Sequence, residues 1–103
     1  MKLYKINSIL HSGRKGKRGT PREDGRYPLR IGRIVELDTS MLREETSLIL
    51  NYIKDENGND YREHYLICSV IKDWDYVYDN VIRIETNNSI YELEEIGEDA
   101  GSI

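Results

Sequence analysis

The chain has 103 residues, enough for one domain over 1–103, and its net charge of −4 excludes a generally basic protein. The single Cys excludes an intrachain disulfide, and no apolar run is long enough for a signal-peptide core or a membrane span. We therefore expect a soluble cytoplasmic domain. Eight Tyr and one Trp, with no Phe, supply the large side chains. Because a buried hydroxyl needs a partner, we expect several Tyr hydroxyls to point outward from the rim of the core.

Residues 2–10 form the first predicted strand. Tyr4, Ile6 and Ser8 alternate with Leu3, Lys5 and Asn7, so each face of this strand carries both apolar and polar residues. Residues 11–28 follow as a long basic loop with four Gly, two Pro and no apolar period. Such a segment buries too little surface to offset its ordering entropy, so we expect it to be mobile when no ligand is bound. Loops of this length in small domains are usually functional or disordered.

The middle of the chain alternates between β-rich segments and turn signals. Strands are predicted over 29–37, 47–54 and 61–71, and Asp38-Thr39-Ser40 offers an N-cap for a single helical turn over 41–45 between the first two. The Asn57-Gly58 pair predicts the hairpin turn between the second and third of these strands. Residues 72–80 are ambiguous, and they can continue the last strand through Trp74 and Tyr76 to a turn at Asp79-Asn80.

Residues 81–96 are predicted to form the closing β-hairpin. Val81, Ile82 and Ile84 are β-branched, and Tyr91 and Leu93 share one face of the returning strand. Asn87-Asn88 is the turn pair, chosen because Asn tolerates positive φ. Residues 97–103 are predicted to be a frayed acidic tail. The pattern predicts an all-β fold, a small barrel of five or six strands with an SH3-like meander, and an OB-like barrel is the alternative.

Charge is concentrated in one segment. Eight basic and two acidic residues between His11 and Arg33 give +6, which leaves −10 for the rest of a chain of net charge −4. Arginine and lysine beside glycine match phosphate groups, and Tyr27 is a candidate to stack on a base. The predicted anion-binding residues are Arg14, Lys15, Lys17, Arg18, Arg22, Arg26, Arg30 and Arg33. Alternatively, the segment folds back on acidic residues of its own chain, contacts the acidic face of another copy, or only keeps the loop solvated.

No catalytic or metal-binding constellation is found. His11, His64 and Cys68 have no metal-ligand spacing, and four residues of strand would separate the last two by about 13 Å. Cys68 lies in an apolar run and is interpreted as a core residue. No P-loop, nucleophile elbow or Rossmann fingerprint is present. We therefore predict a protein that is not an enzyme and needs no cofactor or metal.

Two short motifs carry a resemblance. The T-x-N-S-x-Y of Thr86, Asn88, Ser89 and Tyr91, together with the R-I-G of 30–32, resembles short β-rich proteins of unknown function from Gram-positive bacteria and their phages. The resemblance implies a bacterial or phage setting and no particular activity. The function predicted from the residues is a module that binds nucleic acid or a nucleotide through the basic loop. The alternative is a phage- or mobile-element-type interaction module that binds an acidic protein surface or inhibits a host or defence enzyme. No membrane partner is expected, and the oligomeric state stays open.

Overall fold

Six antiparallel strands form the protein, as seen in a computed structural model that describes residues 2–13 and 16–98. The strands are β1 (Lys2–His11), β2 (Ile34–Leu37), β3 (Ser47–Lys54), β4 (Tyr65–Tyr78), β5 (Val81–Thr86) and β6 (Ser89–Glu98). Each strand pairs with the next in the sequence, and β6 pairs with β1, so the sheet closes into a barrel. The predicted small all-β barrel is confirmed, with six strands. Its sequential order differs from the Greek-key order of the OB-like alternative.

The closing hairpin forms as predicted and supplies much of the core. Ile82 and Ile84 on β5, and Leu93 on β6, are fully buried, and Tyr91 is 2% exposed. The turn is held differently from the expectation, because neither Asn has positive φ. Instead, the Thr86 hydroxyl oxygen accepts a hydrogen bond from the backbone N–H of Asn88 at 3.4 Å and another from that of Ser89 at 3.1 Å. The sixteen buried apolar side chains of the described residues are Tyr4, Ile6, Ile9, Val35, Leu37, Leu42, Leu48, Leu50, Tyr52, Ile53, Ile71, Ile82, Ile84, Ile90, Tyr91 and Leu93.

The predicted strand over 29–37 is wrong in its first half. Tyr27–Arg30 is a 3-10 turn with Pro28 in its first positions, where the missing N–H of proline costs nothing. Gly32 then redirects the chain at φ +92°, a conformation that glycine adopts readily, so that β2 begins only at Ile34. As a result Leu29 is 56% exposed and does not belong to the core.

The ambiguous segment after Ile71 continues β4. One half of this 14-residue strand pairs with β3 and the other half, from Ile71 onward, pairs with β5 up to a turn at 79–80. The strand begins at Tyr65 rather than at Tyr61, because the Asn57-Gly58 turn is followed by a second turn before the ladder starts. The single helical turn predicted over 41–45 lies earlier, as a 3-10 turn over Thr39–Met41, because the Asp38 carboxylate caps it by accepting a hydrogen bond from the Ser40 N–H at 3.0 Å.

The expectation that tyrosine hydroxyls point outward fails for the core tyrosines. Tyr4 is fully buried and Tyr52 is 4% exposed, and neither hydroxyl has a hydrogen-bond partner of normal geometry among the described residues. Burial raises the pKa of both phenols, and the approach of Tyr76 adds to the effect at Tyr4. The burial of each ring stabilises the fold, and each enclosed hydroxyl without a partner opposes that gain. β6 extends to Glu98, two residues beyond the predicted hairpin, and the remainder of the predicted tail, 99–103, lies outside the described residues.

Candidate anion-binding surface

The basic loop continues past residue 28 through the 3-10 turn to Arg33, and from here on the name covers 11–33. Its residues 16–33 fold against β1. The Gly19 N–H donates to the His11 carbonyl, the His11 N–H donates to the Thr20 carbonyl, and the Arg22 N–H donates to the Ile9 carbonyl, each at 2.9 Å. Pro21 forms an isolated β-bridge with Leu10. These backbone bonds give the loop a defined path and therefore define where its cationic side chains lie. Arg14 and Lys15 are outside the described residues.

Arg18 binds a carboxylate of its own chain. Its guanidinium makes two contacts with Glu85 on β5, one of them a hydrogen bond of 2.7 Å from Nη2 to Oε1. The Ser12 hydroxyl also donates to Glu85, and the Lys72 ammonium lies 3.7 Å from it. The hydrogen bond from Arg18 is the main cause that lowers the pKa of Glu85 to about 2, and the bond from Ser12 adds to it. Arg18 thus fastens the loop to the barrel.

We expect this ion pair to make stability depend on pH in the acid range. The pKa of Glu85 falls from an ordinary 4.5 to about 2 on folding, so its contribution is complete above about pH 5 and is lost as the pH falls toward 2. Urea unfolding of the wild type and of Glu85→Gln between pH 2 and 7 checks this. The wild type should lose more stability than the variant between pH 4.5 and 2.5, whereas parallel pH profiles would contradict the prediction.

Arg22 also has a structural role. It lies 2.6 Å from the Asp24 carboxylate, donates to the Ser89 hydroxyl at 2.8 Å, and donates to the carbonyl of Asn88 at 3.2 Å. Its hydrogen bond lowers the pKa of Asp24 to about 2. The guanidinium also lies 3.8 Å from the centre of the Tyr27 ring. Arg22 therefore links the loop to the turn of the closing hairpin.

Arg33 directly precedes β2 and is also paired with a carboxylate. Its Nε donates to Glu56 at 2.9 Å, and its guanidinium is 5.0 Å from the ring centres of both Tyr52 and Tyr61. Only 14% of the side chain is exposed. With its charge already neutralised and its faces covered, Arg33 has little left to offer a ligand. It is a structural residue among the eight predicted ones.

Three predicted cations make no ion pair with any described residue. Lys17 and Arg26 are exposed, and Arg30 is half-buried with its guanidinium 4.7 Å from the centre of the Tyr27 ring. Tyr27 is half-buried and is contacted by two guanidinium groups, so a base would have to share its ring with them. Positive charge therefore stays available to a ligand at Lys17, at Arg26 and at Arg30 beside Tyr27.

Two polar hollows lie beside these cations. A cavity of about 110 Å³ is lined by Tyr27, Arg30, Leu66, Ile67, Cys68, Ser69, Thr86, Asn88, Ser89 and Tyr91. An open depression of about 360 Å³ is lined by His11, Gly13, Arg22, Asn87 and Asn88, so the two hollows share Asn88. Sequence reasoning did not assign Ser69 or Asn88 to a site. The T-x-N-S-x-Y motif was the available signal, since its polar residues supply part of both linings.

The remaining candidates have structural roles. Cys68 was predicted to be a core residue, but it is only half-buried and packs against the core from outside, and burial raises the pKa of its thiol to about 11. His64 is exposed and stacks on Tyr61 with ring centres 4.2 Å apart, whereas His11 is buried at the end of β1. Within 2–13 and 16–98, no group of three or more His, Cys, Asp or Glu side chains is arranged to hold a metal ion. The same residues include no helix long and apolar enough to cross a membrane.

Comparison with known proteins gives no family for this chain. No protein-family model matches it, and no match is found among the curated proteins or the solved structures. The resemblance to short bacterial and phage β-rich proteins therefore stays a prediction.

Proposed function

We propose that this chain is a non-enzymatic module that binds a phosphate-bearing polyanion, nucleic acid or a nucleotide, on the surface formed by its basic loop. The observation that carries the proposal is that some cations of the loop are paired with carboxylates of the chain and others are not. Arg18, Arg22 and Arg33 bind carboxylates of the chain and hold the loop in place. Lys17, Arg26 and Arg30 belong to the same folded loop and make no such pair with a described residue.

A loop that is folded before it meets a ligand binds with less loss of entropy than a mobile one. Cations positioned by backbone hydrogen bonds and by neighbouring ion pairs meet this condition. The SH3-like plan fits the proposal, because the loop after the first strand often takes part in ligand contact in such barrels. The cytoplasmic location and the bacterial or phage setting belong to the same proposal.

Binding should weaken steeply with salt. Three phosphate contacts release condensed counterions and give a slope of log K against log salt of about −2 to −3. Fluorescence anisotropy with labelled single-stranded and duplex DNA and RNA, from 50 to 300 mM salt, measures this slope. Thermal-shift assays with nucleotides extend the test to small ligands. The proposal fails if no nucleic acid or nucleotide binds at the lowest salt concentration.

One observation favours the alternative of a protein-interaction module. Ile49 on β3 and Ile67 on β4 are cross-strand partners, yet they are 47% and 60% exposed. Beside them lies an open groove of about 570 Å³, whose lining includes Ile49 and the 70% exposed Met41. Exposed apolar surface of this kind is common at protein interfaces. Replacement of Met41 and Ile49 by Ser should abolish a protein partner's binding and leave nucleic-acid binding unchanged, because both residues line the groove and neither lines the polar hollows.

A further inference from the structure

We infer that the polar cavity beside Arg30 holds a single compact oxyanion, the terminal phosphate of the ligand, an inference that rests on the proposed function. The cavity lies between the 3-10 turn of Tyr27–Arg30, β4 and the closing hairpin. Its volume of about 110 Å³ is less than a third of that of the open depression beside it, about 360 Å³. That space suits one phosphate group and is too small for a whole nucleotide.

The charge of the lining selects an anion. Among the described residues that line the cavity, Arg30 carries a positive charge, and none is an Asp or a Glu. Tyr91 and Cys68 contribute neutral groups at physiological pH, because burial raises the pKa of the phenol and raises that of the thiol to about 11. A metal cation would find no carboxylate there, whereas an oxyanion meets a guanidinium and hydrogen-bond donors.

Arg30 itself lacks the counter-ion that its neighbours have. Arg22 and Arg33 are partly buried, and each lies within 3 Å of a carboxylate. Arg30 is half-buried as well, but its described contact is the Tyr27 ring. A partly desolvated cation without a paired charge costs free energy. An anion in the cavity would supply the missing partner.

The donors come from three separate elements. Arg30 belongs to the 3-10 turn, Ser69 belongs to β4, and Asn88 belongs to the turn between β5 and β6. The Ser69 hydroxyl oxygen accepts the backbone N–H of Asn88 at 3.3 Å, which leaves its own proton free to donate. A tetrahedral phosphate accepts hydrogen bonds from directions that do not share a plane, whereas the lone pairs of a carboxylate lie close to the plane of the group. This arrangement favours phosphate.

The position of the cavity indicates which phosphate it takes. The open depression of about 360 Å³ shares Asn88 with the cavity and reaches Arg22 and His11. A ligand whose end occupies the cavity can therefore continue across the depression toward the basic loop. An internal phosphodiester has chain on both sides, and a cavity for one group does not accommodate it. The ligand class is accordingly a phosphate monoester at the end of a nucleic-acid strand or on a nucleotide.

The test uses calorimetric titration with inorganic phosphate and with matched oligonucleotides that carry or lack a 5′-phosphate. Arg30→Gln should weaken phosphate binding about ten- to hundredfold, the effect of losing a charged hydrogen-bond donor. Arg43→Gln is the matched control, because Arg43 lies outside the basic loop and does not line the cavity. It should leave phosphate binding unchanged. The 5′-phosphorylated oligonucleotide should bind the wild type at least tenfold more tightly than the unphosphorylated one.

Other results separate this inference from the proposed function. The inference would be overturned, and the proposed function would stand, if oligonucleotides bind in a salt-dependent way with the same affinity whether or not they carry a 5′-phosphate and whether or not Arg30 is replaced by Gln. Phosphate binding that needs Arg30, with no nucleic-acid binding, would support the cavity as an oxyanion site and remove the proposed function. Acetate binding as tight as phosphate binding would overturn the inference in favour of a carboxylate ligand. Thermal unfolding of both variants should match the wild type, since neither arginine makes an ion pair within the described residues.

Discussion

Leu93→Ala should lower the free energy of unfolding by about 2–4 kcal/mol. Leu93 is fully buried near the middle of β6, opposite Ile6 on β1 and Ile82 on β5, and both partners are also fully buried. Truncation removes apolar surface from the core and leaves a cavity that the closed sheet cannot readily collapse into. Equilibrium unfolding in urea measures the loss as a lower midpoint with an unchanged slope.

Ile67→Ala is the matched control for Leu93. It also truncates an aliphatic side chain in a strand, but this side chain is 60% exposed. We expect a change of less than about 0.5 kcal/mol, as for most surface substitutions. Equal losses for the two variants would contradict the register in which β6 buries Leu93 between β1 and β5.

Simultaneous replacement of Lys17, Arg26 and Arg30 by Glu should weaken polyanion binding by more than about a hundredfold at low salt. Each replacement removes a candidate phosphate contact and adds a charge that repels the ligand. The free energy of unfolding should change little, because none of the three makes an ion pair within the described residues. Anisotropy titrations with labelled DNA and RNA, together with urea unfolding, measure both effects.

The control for this triple variant carries the same change of net charge elsewhere. Arg43, Lys54 and Arg62 lie outside the basic loop, so their reversal should leave most of the binding intact. Equal loss of binding in both triple variants would show that net charge, and not this surface, attracts the polyanion. Arg18→Glu serves a second purpose, because it places a carboxylate against Glu85 and should lower stability as well as binding.

The closing hairpin and the barrel were predictable from local pattern. Alternation places Ile82 and Ile84, and likewise Tyr91 and Leu93, on one face of their strands, and this period requires no knowledge of the partner strand. The Asn57-Gly58 turn was equally local, since Gly58 adopts φ +84° there. The strand predicted over 29–37 failed because Pro28 and Gly32 outweighed the alternation of apolar residues. Pattern alone could not show that Leu29 and Ile31 would have no sheet to pack against.

The sequence by itself determined the strand-rich fold, the core face of the hairpin and the concentration of positive charge between His11 and Arg33. Which of those charges are neutralised was decided by tertiary structure. Arg18 meets Glu85 across 67 residues, and Arg33 meets Glu56 across 23. Such pairs form only when closure of the barrel brings distant strands together. The alternation of residues within one strand therefore does not predict them. The cavity beside Arg30 has the same origin, because its walls come from the loop, β4 and the hairpin, three segments that become neighbours only in the folded protein.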